Sequence, residues 1–280
     1  MIFPRTTVAG VSLPRLLIGS NWIFGWSHTG HAADLFIKEQ HATLEPTLGV
    51  INAFLRYGID AWMAPFSSAP DCLDKIKGIQ DKIGKKLVLI DTPIINVDDT
   101  EAARKEAKTI FKTSAEIGST FCLIHHSSCE QLVSKNRRTL DRLPDYTDMI
   151  RECGLIPGLS AHMPEIIQYA DLNNYDVETY IQIFNCLGFM MQVEIESVIR
   201  IIHEAKKPVM TIKPMAAGRT TPYVGLTFNW NVLRPIDMIT LGCINELEVH
   251  EDVEISFAAL EKRLPNLEGR SSPGKTSIIK

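Results

Sequence analysis

The sequence has no run of apolar residues approaching the ~18 needed to cross a bilayer, and its opening, MIFPRTTVAG, lacks the basic-then-apolar order of a secretory signal. These absences lead us to expect a soluble, cytoplasmic protein with no membrane partner. Its six cysteines (Cys72, Cys122, Cys129, Cys153, Cys186 and Cys243) include no CxxC pair and no dense framework. That excludes a zinc knuckle and a disulfide scaffold and leaves buried reduced thiols. There is no basic stretch either: 29 Lys and Arg stand against 33 Asp and Glu, a formal net charge of -4 with the cations scattered. No surface is laid out to track a nucleic-acid backbone, so neither DNA nor RNA is an expected partner. Phosphate-binding signatures of the GxGxxG and Walker kinds are also missing.

What the sequence does have is apolar mass and alternation. Hydrophobic residues make up 45% of 280 residues, enough for one sizeable core. Eight short runs rich in Val, Ile and Leu are separated by stretches of helical period: LLIGSN (16–21), IDAWMAPF (59–66), KLVLID (86–91), TFCLIH (120–125), IPGLSA (156–161), TYIQIFN (179–185), PVMTIK (208–213) and MITLG (238–242). Strands alternating with helices in this way predict an α/β chain with a parallel sheet, and eight such units predict a (β/α)8 TIM barrel. A single barrel over residues 1–268 is expected, followed by a flexible C-terminal tail over 269–280 whose sequence lacks periodicity. The intervening helices have their punctuation. Pro46 opens a helix that stops at Gly58; Asp98, Asp99 and Thr100 cap one running to about Glu116, before Gly118. The stretch from Glu130 to Arg151, dense in Lys, Arg and Asp, reads as a helix with a solvated face. The connection from Asn21 to about Thr43 is too long for an ordinary βα loop and carries Trp22, Phe24, Trp26, His28, His31 and His41, which predicts a lid or a pocket wall.

Several segments, in order and over most of the chain, resemble the aldo-keto reductase superfamily. GLIPGLSAHMPEIIQYA is similar to its fifth strand and Gly-x-Ser turn, KKPVMTIKPMAAGR to its seventh strand with a small-residue turn, and DMITLGCINELEVHEDV to its eighth strand and the acidic start of the next helix. TFCLIH ends in His125, where the family's fourth strand carries an active-site His. The resemblance implies the barrel fold and NADPH as cofactor. It departs from the family at the other catalytic positions: Met63 stands where the Asp would fall, no Tyr follows it, and strand three ends in Asp91 in place of a Lys. Without the Tyr and Lys the usual hydride transfer has no acid.

Catalytic groups of a barrel sit at the C-terminal ends of its strands. Here those ends supply Ser20 and Asn21, Asp91 and Thr92, His125 and His126, Ser160 and His162, Asn185 and Lys213. Asp91, His125 and His162 come from three consecutive strands spaced about 4.8 Å apart. They are the expected ligand set for a divalent metal (Zn, Mn or Fe), against the alternative that Asp91 caps a helix and each His bonds a carbonyl. Adjacent residues face opposite ways on a strand, so the sequence does not decide which of His125 and His126 faces inward. On strand seven, Thr211 and Lys213 share one face and the apolar Met210 and Ile212 the other. If the apolar face packs on helices, Lys213 points into the barrel, to act on substrate or to pair with Asp91. The turn AAGR, with Gly218 and Arg219, is a candidate anion site, against the reading that a tight turn needs small residues anyway.

Three functions follow. The first is an enzyme acting on a small polar carbonyl or hydroxy metabolite, a lyase or isomerase using acid–base or retro-aldol chemistry, metal-assisted where a metal is bound. In it His125, Lys213 and Asp91 are catalytic, and Asn21, Trp22, His28, Asn185, Glu194 and Arg219 bind substrate. The second is an NADPH-dependent oxidoreductase with a rebuilt catalytic set, and the third a non-catalytic ligand-binding barrel. Homo-oligomer formation is left open by the sequence.

Overall fold

In the computed structural model, which describes residues 1–267, all eight expected strands form inside their segments. The expected tail, 269–280, lies outside the described residues. The strands in chain order are β1 (Arg5–Val8), β2 (Val11–Pro14), β3 (Leu16–Ile18), β4 (Ala61–Ala64), β5 (Val88–Asp91), β6 (Phe121–Ile124), β7 (Val133–Ser134), β8 (Thr139–Leu140), β9 (Ile156–Ala161), β10 (Tyr180–Ile183), β11 (Val209–Ile212) and β12 (Met238–Leu241). The helices are α1 (Asn21–Phe24), α2 (His31–Gln40), α3 (Leu44–Leu55), α4 (Pro70–Ile83), α5 (Glu101–Glu116), α6 (His126–Cys129), α7 (Leu143–Glu152), α8 (Glu165–Asn173), α9 (Ile195–Glu204), α10 (Pro222–Val232) and α11 (Glu246–Glu261). No helix among the described residues is long and apolar enough to cross a membrane. The six cysteines are unpaired, with Cys72, Cys122, Cys129 and Cys243 buried.

The strands β3, β4, β5, β6, β9, β10, β11 and β12 pair in parallel and close into a barrel, the seam being β12 against β3 with Ile239 opposite Leu16. The seam is tight because Gly19 lacks a side chain: its N–H donates to Leu241 O at 2.7 Å, and a Cβ there would sit 3.0 Å from the Leu241 carbonyl carbon. β1 and β2 form an antiparallel hairpin that the sequence reading missed. Its two-residue turn, Ala9 and Gly10, has φ of 48° and 81°, the sign that tight hairpin turns require. Val8 and Leu13 of this hairpin join Leu17, Ala61, Ile90, Phe121 and Met210 in the cluster that fills the barrel. A larger cluster lies between strands and helices and takes the alternate strand residues, among them Leu89, Cys122 and Val209.

This packing corrects two expectations. The apolar Met210 packs within the barrel and Ile212 packs against the same cluster, while Thr211 donates to Met238 O and shares its face with Val209 of the outer cluster. The sequence reading assigned these faces the other way round; it took the apolar face as the outer one, but a barrel interior is itself an apolar core. The same alternation turns Asp91 outward, on the face of Leu89. The second correction concerns 130–151, which is not one helix. A short 3-10 turn at Glu130–Leu132 and the β7–β8 hairpin precede α7, so the charged residues Lys135, Arg137 and Arg138 belong to the hairpin and not to a helix face.

Candidate active site

A cavity of about 390 Å³ opens at the C-terminal ends of the strands. Its wall begins with the long first connection. α1 carries Asn21 and Trp22, and a loop from Trp26 to Gly30 is held by Asp34, whose carboxylate accepts from the N–H and hydroxyl of Ser27 at 2.8 and 2.6 Å. His28 sits in this loop at φ 59°, with Nδ1 2.7 Å from Trp26 O, and lines the cavity. Trp22 lies against the glycines of two other turns: a Cβ on Gly242 would be 3.0 Å from its Cδ1, and one on Gly218 would be 4.0 Å from its Cζ2. The predicted pocket wall thus forms from Trp22, Trp26 and His28, while Phe24 is buried and stacks on Trp26 and Trp62. His41 is a core residue, between Thr47 Oγ1 and Ile244 O. His31 is exposed and does not line the cavity.

The opposite wall is a column of imidazoles. His125 ends β6 as the N-cap of the four-residue α6, its Nδ1 2.8 Å from Ser127 Oγ. Its ring lies 4.2 Å from that of His126, which lies 3.9 Å from that of His162 at an interplanar angle of only 15°. Both neighbours in the pair HH reach the cavity because the strand gives way to a helical turn between them, so strand alternation does not apply. Burial and the neighbouring positive groups hold His125 down to about 4 and His162 to about 3, and burial also lowers His126. The column is therefore neutral at physiological pH.

Lys213 faces this column. It follows β11 at φ 58°, a left-handed conformation costly for a residue with a Cβ, and the turn after it also holds Ala216 and Ala217 at positive φ. The strain is held by close packing: a Cβ on Gly225 of α10 would be 2.7 Å from Pro214 O, and Ala216 N–H donates to Lys213 O at 2.9 Å. Lys213 thus reaches the cavity because the chain turns after the strand, and not by strand alternation. No hydrogen bond or ion pair engages its ammonium among the described residues. Burial brings it down to about 8, and its charge lowers His28, His125, His126 and His162 in turn.

Other expected site residues are engaged elsewhere. Asp91 is fully buried outside the barrel interior, accepting from the N–H and Oγ of Ser67, so it neither pairs with Lys213 nor joins a metal set with His125 and His162. Burial raises its carboxyl to about 6. Asn185 folds its own turn, bonding Leu187 N–H and both the N–H and the carbonyl of Phe189. Glu194 is an exposed N-cap of α9 outside the cavity. Arg219 is held by Ala216 O, His28 O and the face of Phe189, 3.8 Å from its centroid. The amides of Gly218 and Arg219 donate to carbonyls of their own turn. Gly218 lines the cavity, and the backbone amides of the turn are used within it, while the Arg219 guanidinium spends two of its five N–H donors on carbonyls.

One group of residues could hold a metal ion among those described. His126, Glu130 and His162 have ligand atoms within 4.8 Å of one another. Glu130 was overlooked because it was read as the start of a solvated helix; its spacing of four from His126, one helical turn, was a usable signal. The donor types suit a divalent transition metal. The ring orientation does not, because a metal lies in the plane of each imidazole it binds and two nearly parallel stacked rings have no common in-plane point between them. In addition, Glu130 Oε1 accepts from the N–H groups of His162 and Met163 at 2.6 and 3.0 Å. NADPH fits less well. The turn after β12 leads into Glu246 and Glu248, Glu248 takes the Ile244 N–H at 2.9 Å, and no Lys or Arg lies in 242–251 to meet a phosphate.

No family model matches the chain, and a search of curated proteins finds no relative. Solved structures do match. A putative aldo-keto reductase from Pseudomonas aeruginosa is 13% identical with a TM-score of 0.66, over 91% of this chain and 95% of that one. A glycerol dehydrogenase from Gluconobacter oxydans is 11% identical with a TM-score of 0.62, over 98% and 100%. An aldose reductase from Giardia lamblia is 12% identical with a TM-score of 0.52, over 95% and 90%. At these identities the likeness is one of fold: the chain has a closed (β/α)8 barrel like those of the aldo-keto reductases it matches.

Proposed function

We propose that this barrel is an enzyme acting on a small polar carbonyl or hydroxy metabolite by acid–base or retro-aldol chemistry, in the class of lyases or isomerases. The observation that carries the reading is Lys213, a cavity lysine with no counter-ion, facing a column of neutral imidazoles. Removing a proton from carbon, or breaking a carbon–carbon bond next to a carbonyl, leaves negative charge that must be stabilised. Lys213 is the group placed to take up that charge. A neutral imidazole accepts a proton in one step and returns it in the next, which suits His125 or His126 to the general acid–base role. Asn21, Trp22 and Thr240 beside the seam of β3 and β12, and Ser160 of β9 across the barrel, shape the site for a small polar body.

The test is hydrogen–deuterium exchange by NMR. The protein is incubated in D2O with a panel of small ketones, aldehydes and hydroxy acids, and exchange at carbon next to the carbonyl is followed beside NADPH oxidation by the same panel. Exchange without NADPH oxidation is the expected outcome. NADPH-linked reduction of the panel sinks the reading in favour of an oxidoreductase, which the fold of the neighbours favours and the acidic turn at Glu246 and Glu248 opposes. A metal-assisted form of the same chemistry would require one of the stacked rings of His126 and His162 to turn and Glu130 to leave its amide partners. Exchange lost with a chelator and restored by Zn or Mn would establish it. The cytoplasm is the expected setting for a small-metabolite enzyme whose cysteines are unpaired.

A further inference from the structure

We propose that Lys213 works covalently: its amine condenses with the substrate carbonyl to form an imine, making this cavity an imine-forming lysine site for small aldehydes and ketones. The inference rests on the acid–base reading above and names the form in which the negative charge is taken up.

Three observations point to it. The Lys213 side chain enters a cavity of about 390 Å³, open to solvent and sized for a small molecule. Its nitrogen has no partner among the described residues, so nothing must be broken before it attacks. No Asp or Glu lines the cavity to hold the amine as a paired ammonium; the titratable groups facing it are His28, His125, His126 and His162, with Glu130 behind the column and Arg219 behind His28. Burial among these groups supports the same conclusion. A lysine near pKa 8 is about one-quarter free amine at pH 7.5, against roughly one in a thousand for an ordinary surface lysine. The left-handed backbone at Lys213, followed by a turn packed against Gly225 of α10, directs the side chain from the end of β11 into the cavity.

The chemistry balances without an oxidant or reductant. The Lys213 nitrogen pair attacks the carbonyl carbon and a C–N bond forms. The carbonyl oxygen leaves as water, carrying one proton from the amine and one from solvent, and the product is an iminium. A Cα–H bond, or the Cα–Cβ bond of a β-hydroxy carbonyl, then breaks and its electron pair moves into the iminium to give an enamine. The departing proton, from carbon or from the β-hydroxyl, is received by a neutral imidazole of the column. In the cleavage branch the β-carbon departs as an aldehyde or ketone; in both branches reprotonation of the enamine carbon restores an iminium, and addition of water to it frees the lysine and a carbonyl product.

The experiment is reductive trapping. The full chain is incubated separately with pyruvate, glycolaldehyde, dihydroxyacetone and hydroxyacetone, then treated with sodium borohydride, which reduces an iminium to a stable secondary amine. Intact mass and peptide mapping locate the adduct. The expected result is one adduct per chain on the peptide containing Lys213, saturable with at least one of the four carbonyls, at least tenfold above any other lysine, with a pH midpoint near 8. K213R and K213M should both lose it, while circular dichroism reports whether each has folded; the wild-type map stands alone if they have not. Adducts spread over surface lysines, or none at Lys213 with any of the four, overturn the proposal. Carbon–deuterium exchange that occurs without trapping overturns the covalent step and leaves the acid–base reading standing. Absence of both exchange and trapping removes both.

Discussion

Replacing Asp91 by Asn tests whether this carboxylate belongs to the fold or to the site. The group is fully buried, bonded to Ser67, and its pKa is raised to about 6 from an ordinary 3.8. A carboxyl raised in the folded state binds its proton more tightly there than in the unfolded chain. Its contribution to stability is thus fully present below about pH 3.8 and is lost as pH rises through about 6. About two pKa units at 1.36 kcal/mol each give a loss of about 3 kcal/mol. The imidazoles titrate in an overlapping range with the opposite sign, so the readable quantity is a difference between two proteins. Urea denaturation of wild type and D91N, at half-unit steps from pH 3.5 to 8, should show the wild type losing about 3 kcal/mol relative to the variant over that range, nearly all of it between pH 4 and 6. The variant should keep trapping at Lys213 undiminished. Parallel stability curves, or a wild type that gains on the variant as pH rises, would refute the burial argument. Loss of trapping in a folded D91N would return Asp91 to the cavity.

Three further outcomes are expected. His162, held near 3 against 6.5 unfolded, remains unprotonated in the fold where the unfolded chain takes up a proton, so stability falls as pH drops from 6.5 toward 3; H162Q should flatten that acid limb by about 4 kcal/mol in the same denaturation series, which ends at pH 3.5. Gly158 faces Leu123 Cγ at 2.6 Å and Thr179 O at 2.8 Å from an added Cβ, so Gly158→Ala overpacks the barrel wall and should cost about 1 to 3 kcal/mol, seen as a lowered Tm with the cavity residues unchanged in sequence. Arg219→Ala removes the contacts to Ala216 O, His28 O and Phe189; it should cost about 1 kcal/mol and loosen the His28 loop to hydrogen exchange, and an unchanged exchange rate in that loop would contradict this placement.

The barrel was legible because its signal is repeated: eight apolar runs at strand length, each followed by a helical stretch, leave few other ways to bury the apolar surface. The hairpin β1–β2 was missed since its turn, Ala9–Gly10, lacks the Asn or Asp that usually marks such a loop and its strands RTTV and VSLP are not apolar runs. The site was legible as a place more than as a set of side chains. Position at a strand end correctly brought Asn21, His125, His162 and Lys213 to one cavity. It failed for Asp91, the last residue of β5, whose direction is still governed by alternation, and for Asn185, whose amide closes its own turn. Lys213 itself was reached by an argument with the faces reversed; what delivers it is a left-handed turn beyond β11, a feature of backbone angle that a Lys-Pro sequence does not announce.

The seam between β3 and β12 gives the cavity a temporal property. Its wall takes Gly19, Ser20 and Trp22 from beside the first barrel strand and Thr240, Leu241 and Gly242 from the last, and Trp22 rests on Gly242. The pocket therefore does not exist in any chain that has folded only part of the way. A nascent or truncated polypeptide lacking its final strand could present Lys213 and the histidines, yet it would present them to bulk water with no enclosing wall. A ligand that needs the enclosed pocket binds only the closed ring and draws the seam shut by mass action. Reactivity at Lys213 is in that sense a reporter of barrel closure.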